Sequence, residues 1–206
     1  MTEQTIQELK ASLATANDEL ERAVRALAPK HVGGEMEAYN AAYEQLLNAE
    51  RRLAAAEGRP YAVLCDCPIS WDIGAPLPTL LQSDQSADLF FLLPDDDERV
   101  GHVRFERLSS SLFGAPNDET FEGHPLHGSG FEPYRAMRVV NSPWIAQLER
   151  MNSVHRFHDP VAYAAMKHFI FPFHDTTFEC VARSFSTSTV DRHLAEAVKD
   201  AVDRLY

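Results

Sequence analysis

Seven of the nine histidines in this chain fall between His102 and His174, interleaved with Asn, Asp, Glu, Gly and Pro. Imidazole changes charge near neutral pH and is the commonest protein ligand for metals, so the clustering invites both proton transfer and coordination. Two H-x-x-H pairs stand out, His124 with His127 and His155 with His158. On a loop or a single helical turn that spacing aims two imidazoles at one ion, and Asp175, beside His174, adds a carboxylate. His124, His127, His155, His158 and Asp175 are therefore the candidate ligands for a divalent metal such as zinc. The stronger zinc patterns, H-E-x-x-H and paired C-x-x-C, do not occur. Ordinary surface, capping and core histidines explain the same residues without an ion.

A metal-free reading uses overlapping residues. Asp118 and Glu119 precede His124 and His127 on one polar loop, and His174 lies near Glu179 further on. A carboxylate bonded to an imidazole fixes its tautomer and raises its basicity, which suits general acid–base work near neutral pH. The catalytic candidates are His124, His127, Asp118, Glu119 and His174. Turn chemistry in Pro116-Asn117-Asp118 is the plain alternative, but a loop of about 20 residues in a compact domain is more often functional than idle.

Nucleophile signatures are weak. Gly128-Ser129-Gly130 lacks the spacing of a nucleophile elbow and reads as a flexible turn. Cys180 sits between apolar strand residues, where thiols usually pack. Cys65-Asp66-Cys67 is a C-x-C with both thiols expected on one face of a strand, and the three cysteines make no disulfide framework. No glycine-rich phosphate cradle is present. The run Ser184–Thr189 reads as helix capping, with Ser188 as the cap and Asp191 three residues on.

These groups need elements to position them. Ile6, Leu9, Leu13, Ala16, Leu20, Ala23 and Leu27 form a heptad-like seam, which predicts a helix over 2–28 ended by Pro29 and the Gly33-Gly34 pair. A second helix over 35–57 stops at Gly58-Arg59-Pro60, and the two make an antiparallel hairpin. From Tyr61 strand-like runs take over: 61–67, 87–93 and 100–108 around an acidic turn at 95–98, 134–140, then 168–173 and 178–185 around a turn at 174–177. Ser142-Pro143 and Asp159-Pro160 each open a short helix, and a closing helix carries Val190, Leu194, Val198, Val202 and Leu205.

The pattern predicts an α+β fold: an antiparallel sheet of about five or six strands, short helices and a C-terminal helix, preceded by the helical hairpin. The expected division is 1–58 for the hairpin and 59–206 for the α+β domain. With 206 residues, 45% hydrophobic, the chain has material for a core. A formal charge of −12 without a basic stripe argues against nucleic acid or an anionic membrane as partner. No apolar run spans a membrane and the first residues do not read as a secretory signal, so a soluble cytoplasmic protein is expected.

The functional expectation is a cleft lined by His and carboxylates, formed by the 114–130 loop, the 152–158 segment and the 174–179 hairpin. It would bind a small molecule, with hydrolase- or lyase-type chemistry left open. The alternative is a non-catalytic adaptor whose helical hairpin meets a protein partner or pairs with a second copy.

Overall fold

The computed structural model describes residues 2–27, 34–94 and 99–204. The expected breaks at Pro29 and Gly33, the acidic turn Asp95–Glu98 and Leu205 lie outside the described residues. The chain groups into two units, Met1–Val63 with Leu126–Glu132 and Leu64–Pro125 with Pro133–Tyr206.

The first unit is built on α1 (Glu3–Ala26) and α2 (Glu35–Ala56). Thr2 caps α1 by accepting the Thr5 N–H at 3.4 Å. Leu13, Ala16 and Leu20 pack against Leu46 and Ala49, so the heptad-like seam is used inside the hairpin, where small alanines let the helices approach. Lys10 near the start of α1 pairs with Glu57 past the end of α2 at 3.8 Å, as an antiparallel arrangement requires.

The segment 126–132 is clamped to α2. Glu50 accepts the Gly130 N–H at 2.8 Å, and Arg51 donates to the carbonyls of Ala62 at 2.9 Å and Gly130 at 3.2 Å. Arg59 donates to Ser129 Oγ at 2.9 Å. Gly128-Ser129-Gly130 is thus a pinned turn where the composition suggested a flexible one.

The second unit holds two antiparallel sheets. One has the order β6-β7-β8-β5, formed by β5 (Ser110–Gly114), β6 (Met137–Val140), β7 (Lys167–Pro172) and β8 (Thr177–Ala182); β1 (Tyr61–Leu64) contains the unit boundary. The other, β2-β3-β4-β9, contains β2 (Thr79–Gln82), β3 (Ser86–Leu92), β4 (Val100–Glu106) and β9 (Ser184–Val190). Both expected hairpins are present, as β3–β4 and β7–β8. The strands β2 and β5 are short and carry little alternation, so no local pattern announces them.

The end of the chain corrects a prediction. Ser188 caps no helix: Ser184–Val190 is a strand paired along its whole length with β4, and Val190 lies opposite Val100. The helix α5 (Leu194–Asp203) begins later, with His193 at its N-cap. Ser186, Ser188 and Thr189, part of the run read as helix capping, here lie exposed on an edge strand. The run expected as one strand, 178–185, is divided at Arg183, where the chain leaves one sheet for the other.

Pleat alternation decides what each face carries. Phe105 of β4 meets Phe169, Phe171 and Phe178 at ring separations of 5.2–5.8 Å, and Trp71 packs on Phe91, Phe171 and Phe173. This aromatic core also takes Cys180, Cys65 and Cys67. All three thiols are free, and Cys65 and Cys67 lie beyond the end of β1. On the opposite face of the four-stranded sheet, α5 covers Phe90 and Val100 with Ala197 and Ala201. The helices α3 (Pro143–Asn152) and α4 (Pro160–Ala164) start at the expected caps, where Ser142 accepts from Ile145 N–H and Asp159 from Val161 N–H. Among the described residues, no helix is long and apolar enough to cross a membrane.

Candidate functional site

Three constellations of titratable side chains occur in the second unit. The first joins two of the residues singled out from the sequence. The 114–130 loop contains a 3-10 helix, Asp118–Gly123, and the Asp118 N–H donates to the His174 carbonyl at 2.9 Å. That contact ties the loop to the β7–β8 turn. His174 Nδ1–H and the Tyr134 hydroxyl both donate to Asp118 Oδ2, each at 2.6 Å. The bond from Tyr134, and then that from His174, hold the Asp118 carboxyl below its ordinary range, while burial and the bond to Asp118 push Tyr134 up to about 12. Glu119 is exposed beside this group.

The second constellation is closed. Glu179 of β8 receives His168 Nε2–H at 2.8 Å and His124 Nε2–H at 3.4 Å, one on each carboxylate oxygen. Ser142 Oγ donates to His168 Nδ1 at 3.0 Å while accepting the Ile145 N–H. The Trp144 ring stands edge-on to His168 at 5.1 Å. His124, His168 and Ser142 are all buried. Burial alone would raise the Glu179 carboxyl, but the two imidazole donors outweigh it and hold it at about 2. None of these side chains is among the described residues that carry a fully buried polar atom without a partner, as burial demands.

The third constellation opens to solvent and was not anticipated from the sequence. On the outer face of the four-stranded sheet, Asp88 lies opposite Arg104, and His102 lies between Phe90 and Ser188. Asp88 is 3% exposed. It accepts His102 Nε2–H at 2.7 Å and two bonds from Arg104 at 2.8 and 3.0 Å. With its proton on Nε2, His102 accepts at Nδ1 from the exposed Ser188 hydroxyl at 3.1 Å. The imidazole is stacked on Phe90, with centroids 4.6 Å apart and planes 8° from parallel. Burial raises the Asp88 carboxyl, yet the donors from His102 and Arg104 outweigh it and leave it below its ordinary value.

These side chains line a cavity of about 570 Å³ with Val190, Ala201 and Arg204. That volume is of small-molecule size. The lining carries two guanidinium groups, Arg104 and Arg204, and one carboxylate, Asp88, so it is locally cationic in a chain of charge −12. A second cavity, of about 460 Å³, is lined by Arg107, Lys167 and Arg183 but has no imidazole.

The expected metal set is not assembled. The unit boundary runs between Pro125 and Leu126, so His124 and His127 belong to different units. His124 is committed to Glu179, and His127 is exposed. His155 is exposed and accepts from the Phe157 N–H, while His158 bonds Asn152 at 3.1 Å and lies 3.5 Å from Glu149. Asp175 points to solvent, 4.0 Å from His174. Among the described residues, no group of three or more His, Cys, Asp or Glu could hold a metal ion.

One signal for the overlooked constellation was present. His102 and Arg104 share a face two residues apart in a strand, and Asp88 is the lone charge inside the apolar run Ala87–Leu93. A charge at such a position needs partners, and only the pairing of β3 with β4 shows which. No protein-family model, curated protein or solved structure matches the chain.

Proposed function

We propose that this protein binds a small anionic molecule in the cavity beside α5 and moves a proton there through His102. One observation carries the reading: a buried carboxylate, an imidazole and an exposed hydroxyl form a continuous relay that ends in a small-molecule-sized, cationic cavity. Asp88 fixes the ring orientation and tautomer of His102, and Arg104 fixes Asp88. Arg204 has no ion-pair partner among the described residues and is available to an anion.

The test is a titration with small dicarboxylates and phosphate monoesters, followed by the NMR signals of the His102 ring. Saturable shifts are expected, with affinity falling roughly tenfold to a hundredfold in Arg204→Gln, the loss expected for a charged hydrogen bond. A panel that leaves the His102 resonances unmoved would overturn the reading.

A protein-partner reading rests on α1. Of its 24 residues only Ala16 is buried, and Val24 is half exposed. Residual apolar surface along this helix suits a second copy of the chain. Sedimentation equilibrium with Val24→Asp checks it: a dimer that dissociates in the variant supports the reading, and a monomer at all concentrations removes it.

A further inference from the structure

Ser188 and Ser142 occupy equivalent places in two relays of the same connectivity. Each hydroxyl bonds Nδ1 of a histidine whose Nε2 bonds a carboxylate, His102 with Asp88 and His168 with Glu179. What separates them is access. Ser142 is 9% exposed and its oxygen already caps α3. Ser188 is exposed on an edge strand, accepts from no other described group, and faces the cavity that holds Arg204.

We infer that Ser188 is the nucleophile of an acyl-transfer site, with His102 as its base, Asp88 as a positioning residue, and an ester carrying a free carboxylate as the substrate class. This deepens the anion-binding reading and rests on it. A hydroxyl is a poor nucleophile until a neighbouring base takes its proton, and a third group must orient that base.

The chemistry balances without a cofactor. As the Ser188 oxygen bonds to the ester carbonyl carbon, its proton passes to His102 Nδ1, and the carbonyl electron pair moves onto oxygen. Arg204 lies on the cavity wall to stabilise that oxyanion or to hold the substrate carboxylate. Collapse breaks the bond to the alcohol oxygen, which takes the proton from His102. Water then attacks the acyl-serine, gives one proton to His102, and the proton returns to Ser188 as the carboxylic acid leaves. The sum is ester plus water to acid plus alcohol.

His102 is held on one face by stacking on Phe90 and at its edge by the Nε2 bond to Asp88, so the imidazole is fixed before substrate arrives. Arg104 holds the same Asp88 carboxylate at 2.8 Å, so the group that orients His102 is itself fixed.

The experiment uses the full chain and two probes. An alkyl fluorophosphonate is followed by intact mass and peptide mapping. Hydrolysis of the 4-nitrophenyl hemiester of succinic acid is compared with that of neutral 4-nitrophenyl acetate. One adduct, on Ser188, is expected, together with a preference for the hemiester that Arg204→Gln removes. Ser188→Ala abolishes the adduct, His102→Asn slows hydrolysis by about a hundredfold or more, and Ser186→Ala, on the same strand face, changes neither. Circular dichroism of each variant shows that the fold is retained. No adduct, an adduct elsewhere, or wild-type hydrolysis by Ser188→Ala overturns the inference. If anions still shift the His102 signals in that case, binding stands and only the acyl chemistry falls; if they do not, both readings fall.

Discussion

Gly130 shows how one residue fixes a turn. Its φ is +80°, a region costly for residues with a Cβ, and an added Cβ would lie 2.5 Å from Arg51 Cγ and 2.7 Å from the Ala62 carbonyl oxygen. The backbone oxygen cannot retreat without breaking the bond it accepts from Arg51. Gly130→Ala should therefore destabilise the protein by about 2 kcal/mol or more, measured by urea denaturation. Glu179 makes a different demand, on pH. Its carboxyl is held at about 2 against an ordinary value of 4.5, so its contribution is complete above pH 4.5 and is lost as pH falls through about 2. The size is on the order of 3 kcal/mol. Glu179→Gln should lose stability at neutral pH and flatten the acid limb between those values, read from melting temperature against pH. An unchanged acid limb in the variant would contradict the assignment.

At the scale of elements, α5 both closes apolar surface and forms one wall of the cavity. Ala197 is 3% exposed against Phe90 and Val100, and a carboxylate there would be buried without a partner. Ala197→Asp should cost about 2–4 kcal/mol, detach α5 and raise binding of an apolar dye. The helices were the most legible elements, because their signals are local: an apolar period and a capping residue before proline at Ser142 and Asp159. The β7–β8 hairpin was legible for the same reason, but the bond between Asp118 and His174 was not, because it depends on where the 114–130 loop lands. β9 was misread because Ser and Thr serve caps and exposed strand positions equally, and only its pairing with β4 distinguishes them. Asp88, His102 and Ser188 come from three strands up to 100 residues apart, a distance no local pattern spans.

Taken whole, the molecule is acidic, yet it gathers Arg104 and Arg204 at one cavity and Arg107, Lys167 and Arg183 at another. Salt should act on these features with opposite sign. Raising ionic strength from about 10 mM to about 150 mM shortens the screening length from about 30 to about 8 Å. Repulsion within the chain weakens, so the melting temperature should rise, while anion affinity at the cavity should fall over the same range. Parallel thermal scans and binding isotherms check both trends, and a matching direction would refute the local cationic character.

The chain has two tryptophans, and they occupy opposite optical situations. Trp71 is enclosed by phenylalanines, whereas Trp144 lies edge-on to His168. Replacing Trp71 by Phe would leave a single indole, placed against the His168 ring. Its emission would then report on the packing of that site alone. The buried clamp thus carries its own lamp.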